Sequence, residues 1–224
     1  MIEAVNINKN YGSKKIIERF SISVRRGDRV ALVGRNGVGK TSLLKILTGQ
    51  EAPDSGHVKI GTNLTLAIFD QALAQLDPNA TLWESLTSEP EIGVSGKVDQ
   101  ILVRGIPKNV VGYLKEFLFQ AFQARAPVRS LSGGEKARLL LAKLMAKESN
   151  LLVLDEPTNN LDVDTLDLLQ ELLADYDGTV LLISHDRDFL DRIATTTVVS
   201  EGFLSIPIEF NSFFILWYLY LFLL

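Results

Sequence analysis

The stretch that decides the fold runs from Gly34 to Thr41 and reads Gly-Arg-Asn-Gly-Val-Gly-Lys-Thr, which matches the pattern G-x-x-x-x-G-K-[ST]. It follows a short apolar run, Val30 to Val33, and it opens a segment with leucines at helical spacing, Lys40 to Thr48. Glycines let such a backbone curl so that successive N–H groups point inward, and the helix N-terminus adds partial positive charge. The stretch therefore predicts a phosphate-binding loop, with Lys40 on the β- and γ-phosphates and the Thr41 hydroxyl on Mg²⁺.

A second apolar run, Leu151 to Leu154, ends in the two carboxylates Asp155 and Glu156. Open α/β sheets bind their ligands at the carboxyl ends of strands. We expect Asp155 to hold Mg²⁺ and Glu156 to accept the proton of an attacking water molecule. The alternative is a solvated turn before Pro157, which the phosphate loop upstream disfavours.

Composition narrows the class of protein. The chain has 224 residues, a net charge of −4 and no cysteine, which excludes disulfides, thiolate metal sites and cysteine nucleophiles. The acidic balance argues against a strongly nucleic-acid-binding surface on this domain alone. The N-terminus has no basic region followed by an apolar run, so we expect no signal peptide. The lack of cysteine suits a cytoplasmic location.

The order of elements predicts an α/β fold. Residues 1–30 favour short strands, whereas residues 72–130 contain helical stretches, such as Tyr113 to Gln123, that prolines interrupt. Two later apolar runs, Leu151 to Asp155 and Val180 to Ser184, alternate with helical segments as strands of a buried parallel sheet do. The middle region is therefore interpreted as an inserted, mostly helical lobe.

A further motif, Leu131-Ser132-Gly133-Gly134-Glu135, resembles the signature motif of ATP-binding cassette (ABC) proteins. Other motifs that resemble those of the family occur in the family's order: Tyr11 as the adenine-stacking aromatic, Gln71 as the Q-loop, Leu161-Asp162 as the D-loop and His185 as the switch histidine. The resemblance covers residues 1 to about 202. It implies a P-loop NTPase nucleotide-binding domain with a RecA-like parallel-sheet core, an antiparallel β subdomain and an inserted α-helical subdomain at roughly residues 72–145.

The resemblance also implies roles for individual residues. ATP bound by one cassette would be covered by the signature motif of a second cassette, which is either another copy of this chain or a different chain. The catalytic residues would be Glu156, His185 and Gln71, and the Mg²⁺ ligands would be Thr41, Gln71 and Asp155. The nucleotide contacts would be Tyr11, Gly34, Asn36, Gly37, Val38, Gly39, Lys40, Thr41, Ser42, Ser132, Gly133, Gly134 and Asp162. For three of the residues with implied roles, a plainer alternative is open: Tyr11 as an ordinary aromatic, His185 as a surface histidine and Asp162 as a helix-start residue.

Within the family, residues 154–162 (Leu-Asp-Glu-Pro-Thr-Asn-Asn-Leu-Asp) are similar to the ABC-F branch, which has paired cassettes and no integral membrane domain. Residues 110–119 and 127–132 look like the second cassette of Uup-type proteins. That resemblance implies Mg-ATP hydrolysis coupled to a ribosome-related or branched-DNA-related role. Two alternatives remain open: the ATP-binding subunit of a membrane transporter, and a truncated module that binds nucleotide without turnover.

The last 22 residues differ from the rest. Residues 203–224 carry one charge, Glu209, and end in twelve consecutive apolar residues, too few for a membrane-spanning helix of roughly 20. Three interpretations compete: a segment that packs on the cassette, a weak membrane anchor, or non-family sequence added by truncation or a shifted reading frame. We favour the third, which predicts an ATP-binding domain at residues 1–202 and a hydrophobic tail at 203–224.

Overall fold

The chain is described here by a computed structural model, which covers residues 2–69, 76–94, 99–159, 161–200 and 205–209. It divides into two compact units, each built from discontinuous segments. The first unit comprises Met1–Leu64, Leu154–Glu156 and Asp177–Leu224. The second unit comprises Thr65–Val153 and Pro157–Tyr176.

Strands and helices are numbered in chain order over the described residues. The strands are β1 (Ile2–Tyr11), β2 (Lys14–Val24), β3 (Arg29–Gly34), β4 (Ser55–Ile60), β5 (Leu66–Phe69), β6 (Gln100–Val103), β7 (Ile106–Asn109), β8 (Leu151–Asp155), β9 (Thr179–Ile183), β10 (Thr196–Ser200) and β11 (Ser205–Glu209). The helices are α1 (Lys40–Leu47), α2 (Leu82–Thr87), α3 (Val110–Glu116), α4 (Gly133–Ala146), α5 (Val163–Ala174) and α6 (Arg187–Ile193).

A parallel sheet forms the centre of the first unit. Strand β3 lies between β10 and β9 and runs parallel to both, with Val30 beside Thr196 and Leu32 beside Ile183. β3 and β9 consist mainly of buried Val, Leu and Ile, as expected for parallel strands covered on both faces. The parallel-sheet core predicted from the sequence is confirmed.

An antiparallel sheet in the order β2–β1–β4 completes the first unit. Ile2 pairs with Val24 on one side and with Ile60 on the other, and Tyr11 is the last residue of β1. The antiparallel β subdomain implied by the family resemblance is therefore present.

The second unit contains α2 to α5, strand β5 beside β8, and a β-hairpin formed by β6 and β7. The hairpin departs from the mostly helical prediction. It turns at Arg104 and Gly105, which both have positive φ. The helix predicted over Tyr113 to Gln123 does not extend that far, since α3 ends at Glu116. Leu118 has a φ of +61°, which an α-helix cannot accommodate.

Part of the C-terminal tail pairs with the first unit. β11 runs antiparallel to β10, with Ile206 beside Val199. Residues 205–209 therefore add a strand to this sheet, and the interpretation of the tail as non-family sequence stays a prediction. The rest of residues 203–224 lies outside the described residues. Among the residues that the structure describes, no helix is long and apolar enough to cross a membrane.

Candidate nucleotide-binding site

The predicted phosphate loop joins β3 to α1 in the first unit. Gly39 is the N-cap of α1, has a φ of +104°, and accepts a hydrogen bond from the Leu43 N–H at 2.9 Å. A Cβ placed on Gly39 would overlap the Ile16 Cγ2 atom, whereas a Cβ on Gly37 would meet nothing within 4 Å. The loop is therefore packed tightly against β2 at Gly39, where only glycine fits.

Lys40 is buried, with 7% of its surface exposed. Its ammonium donates to the carbonyl oxygens of Gly34 at 2.7 Å and Arg35 at 3.2 Å, and lies 3.2 Å from His185 Nε2. Burial lowers the pKa of Lys40, and the nearby carboxylates of Glu156 and Asp155 oppose that shift. The loop's own carbonyls thus hold a partly desolvated cation, which makes it a strong partner for an anion.

Thr41 and Asp155 meet at the carboxyl end of β8. The Thr41 hydroxyl donates to Asp155 Oδ2 at 3.0 Å. A hydroxyl and a carboxylate are the oxygen ligands that Mg²⁺ uses together with phosphate oxygens. The residues present therefore fit a magnesium–phosphate site.

Glu156 and His185 follow neighbouring strands, since the Glu156 N–H donates to the Ile183 carbonyl at 2.9 Å. Glu156 has a φ of +51°, an uncommon conformation for a residue other than glycine. Its Oε1 lies 3.1 Å from His185 Nε2, and that nitrogen lies 3.0 Å from Asn36 Oδ1. The imidazole therefore connects the phosphate loop to the carboxylate after β8.

Tyr11 lies beside the loop with 47% of its surface exposed. Its hydroxyl donates to both Glu51 oxygens, at 2.7 and 2.8 Å, and lies 3.3 Å from Ser42 Oγ. Glu51 was not predicted, because no local motif marks a contact between residues 40 positions apart. The Lys14 ammonium donates to the Gly37 carbonyl at 3.3 Å, a contact that only the folded loop creates.

These residues surround one cavity of about 330 Å³ in the first unit. It is lined by Tyr11, Ile16, Asn36, Gly37, Gly39, Lys40, Thr41, Ser42, Asp155, Glu156 and Ile183. Val38 belongs to the same loop, where its N–H lies 3.4 Å from the Arg35 carbonyl. Gln71 lies outside the described residues. The structure thus brings most of the predicted nucleotide contacts of the first unit together.

The signature residues belong to the second unit, at the start of α4. Ser132 is the N-cap and forms a reciprocal capping box with Glu135, whose N–H donates to Ser132 Oγ at 3.2 Å. A Cβ on Gly133 would meet nothing within 4 Å, whereas one on Gly134 would lie 2.7 Å from Asp162 Oδ2. Ser132, Gly133 and Gly134, which are three of the predicted nucleotide contacts, therefore form one turn, and Asp162 lies beside that turn.

Asp162 also serves as the N-cap of α5, because its Oδ1 accepts the Thr165 N–H at 2.8 Å. The interaction with Thr165 lowers the pKa of the Asp162 carboxyl. Asp162 is therefore a helix-start residue, as the plainer alternative proposed. Its second carboxylate oxygen, Oδ2, lies beside Gly134.

Comparison with known proteins identifies the family. The model of the family described as "ABC transporter" matches residues 17–159. The ATP-binding protein Uup of Caulobacter vibrioides is 54% identical over 202 residues, which cover 90% of this chain and 32% of that protein. The Uup protein of Escherichia coli K12 is 49% identical over 90% of this chain and 31% of its own length. The energy-dependent translational throttle protein EttA of Haemophilus influenzae is 42% identical over 87% of this chain and 34% of its own length.

The chain thus spans about a third of the length of these curated relatives. Two solved structures share its fold, each with a TM-score of 0.70. One is the dimeric ATP-binding cassette MJ0796 in a post-hydrolysis state with ADP and Pi, 21% identical over 94% of this chain and 99% of that one. The other is an inward-facing ABC transporter of metal-chelate type, 23% identical over 93% of this chain and 82% of that one. The chain therefore belongs to the ABC transporter family, as an ATP-binding cassette domain of the ABC-F branch.

Proposed function

We propose that this chain binds Mg-ATP in the cavity of the first unit and hydrolyses it to ADP and phosphate. One observation carries the proposal: the buried Lys40 lines the same cavity as the hydrogen-bonded Thr41–Asp155 pair and as Glu156. His185 Nε2 lies 3.1 Å from the Glu156 carboxylate and 3.2 Å from the Lys40 ammonium. A desolvated cation, oxygen ligands for a metal ion and a carboxylate base are the groups that phosphoryl transfer requires.

The phosphate loop binds the β- and γ-phosphates. Lys40 exchanges its carbonyl partners for phosphate oxygens, and the N–H groups at the start of α1 add partial positive charge. Thr41 and Asp155 hold Mg²⁺, which neutralises charge on the phosphates when it is bound. By resemblance to the family, Gln71 is a third ligand.

Glu156 activates the attacking water. Its carboxylate accepts a proton as the water oxygen bonds to the γ-phosphorus, and the bond to the oxygen that bridges the β- and γ-phosphates breaks. ADP leaves with that bridging oxygen, and the phosphate formed carries the water oxygen. His185, which is 3.1 Å from Glu156 and 3.2 Å from Lys40, is placed to hold the γ-phosphate and orient the water.

A second cassette completes the site. The turn of Ser132, Gly133 and Gly134 at the start of the 14-residue α4 presents an anion-binding helix N-terminus. The MJ0796 structure with ADP and Pi is dimeric, which supports an arrangement of paired cassettes for this chain. We propose that this turn contacts the γ-phosphate bound to the partner cassette, and that Asp162 contacts the partner.

The wider role is ribosome-related or related to branched DNA, in the cytoplasm, through an ABC-F-type domain at residues 1–202. The name of EttA supports the link to translation, and the 54% identity to Uup supports the same branch. The ATP-binding subunit of a membrane transporter is the alternative. It has weaker support, because the likeness to the solved transporter is 23% identity.

Steady-state ATPase measurements on the chain and its Glu156→Gln variant test the proposal. The variant should lose activity by about 10²- to 10⁴-fold, because the amide cannot accept the proton, and it should retain Mg-ATP affinity. With ATP it should also elute as a dimer in size-exclusion chromatography. Glu18→Gln, an exposed carboxylate paired with Lys15 at 3.3 Å, is the matched control. An unaltered chain that binds ATP without turnover would contradict hydrolysis and leave a nucleotide-binding module.

A further inference from the structure

A polar network fixes the Tyr11 ring at the edge of the cavity. The hydroxyl of Tyr11 is tied to both oxygens of Glu51, at 2.7 and 2.8 Å, while almost half of the residue's surface remains exposed. A hydroxyl that is held in place keeps the side chain in one rotamer about the Cα–Cβ bond and so fixes the position of the ring, whereas an unrestrained exposed side chain samples several rotamers. The arrangement therefore presents a ring at a set position.

Glu51 is itself restrained. Lys9 Nζ lies 2.9 Å from Glu51 Oε1, donates to the Ala52 carbonyl at 2.9 Å, and lies 5.6 Å from the centroid of the Tyr11 ring. The hydrogen bonds from Lys9 and from Tyr11 lower the pKa of Glu51. At neutral pH Glu51 therefore stays ionised, as an acceptor that Lys9 holds in place for the tyrosine hydroxyl.

The same two segments are joined a second time. Asp54 Oδ2 accepts from the Asn10 N–H at 2.7 Å and from its side-chain amide at 3.1 Å, and Asp54 Oδ1 lies 3.5 Å from Lys9 Nζ. The end of β1 and the segment after α1 thus hold each other through side chains that sequence motifs do not mark. Tyr11 is the member of this network that lines the cavity.

We propose that Glu51 is a positioning residue that holds the Tyr11 ring as the wall on which the nucleotide base stacks. The inference rests on the proposed function, and it adds that base affinity and triphosphate affinity are set by separate parts of the site. Lys40, Thr41 and Asp155 serve the phosphates. Glu51 acts on the base through Tyr11 and contributes nothing to the binding of a triphosphate that lacks a base.

The test is isothermal titration calorimetry of the full chain with two ligands, Mg-ATP and magnesium tripolyphosphate. Glu51→Ala should weaken ATP binding by about three- to tenfold, because the ring is no longer held at one position, and should leave tripolyphosphate binding unchanged. Glu51→Gln should recover part of the loss, since an amide oxygen still accepts from the hydroxyl. Tyr11→Phe, which keeps the ring but not the hydroxyl, should lose as much ATP affinity as Glu51→Ala. The double variant that carries both Glu51→Ala and Tyr11→Phe should bind ATP no more weakly than either single variant. Glu18→Gln is the control that should bind both ligands normally.

Three results would overturn the inference while leaving the proposed function intact. These are equal losses for both ligands in Glu51→Ala, unchanged ATP binding in that variant, and additive losses in the double variant. If the unaltered chain bound neither ligand, the proposed function would fall and this inference with it. Selective, non-additive loss of ATP affinity supports the positioning role.

Discussion

Replacing Gly39 by alanine tests how tightly the phosphate loop packs on β2. Gly39 and Gly37 both have positive φ, of +104° and +77°, so alanine is strained at either position, by about 1–2 kcal/mol. Only at Gly39 does the new Cβ also overlap the Ile16 Cγ2 atom, far inside the optimum carbon–carbon separation of about 3.5–4.0 Å. Ile16 is β-branched and 6% exposed, so it has little freedom to move away.

Forcing an extra methyl group into a packed site costs about 1–3 kcal/mol. We therefore expect Gly39→Ala to be less stable than Gly37→Ala by that amount, which corresponds to a melting temperature about 2–12 °C lower for a chain of this length. The assay is thermal unfolding followed by circular dichroism, with Mg-ATP affinity by calorimetry as a second readout. Equal melting temperatures for the two variants would refute the tight packing of this loop.

Two further predictions concern Asp155, which we propose as a metal ligand, and a buried hydroxyl. Asp155→Asn should reduce the gain in ATP affinity that Mg²⁺ produces and leave metal-free ATP binding unchanged; calorimetry with and without EDTA checks this, and an unchanged Mg²⁺ effect would contradict it. Tyr113 donates to the Ala142 carbonyl at 2.8 Å, so Tyr113→Phe should destabilise the chain by about 0.5–1.5 kcal/mol in urea denaturation. Burial raises the pKa of Tyr113 in the folded chain, so its proton stabilises the fold fully below about pH 10 and that contribution is lost as the pH rises further. Between pH 9 and 11 the stability of Tyr113→Phe should therefore fall less steeply than that of the unaltered chain, and parallel curves would contradict the assignment.

The nucleotide-binding core could be predicted because its signals are local. The phosphate loop lies within eight residues, and the acidic pair directly follows a run of buried strand residues, Leu151 to Leu154, that β8 reproduces. Glycines and carboxylates at strand ends have few structural alternatives, so pattern and structure agree there.

The second unit was harder to predict, because one of its turns lacks the usual residue and one strand of its hairpin contains a proline. Leu118 adopts a φ of +61° that a sequence pattern assigns to glycine or asparagine, and it ends α3 earlier than the spacing of apolar residues indicates. Strand β7 contains Pro107, and a proline makes a strand harder to predict from sequence. The turn between β6 and β7 carries Gly105 at positive φ.

The contacts of Tyr11 show a different limit. Glu51 is 40 positions away in the chain, and Lys9 and Asp54 complete a network that exists only after β1 meets the segment that follows α1. Sequence patterns identify the aromatic residue, but the group that orients it depends on tertiary structure.

The most direct test of the account is the affinity of the Lys40→Ala variant for Mg-ATP, measured by calorimetry beside Lys59→Ala, which removes an exposed lysine from β4 of the same unit. Because Lys40 is a buried cation that faces the cavity, its loss should weaken binding by about 30-fold or more, whereas Lys59→Ala should bind normally. If Lys40→Ala bound Mg-ATP as tightly as the unaltered chain, the loop from Gly34 to Thr41 would not be the triphosphate site.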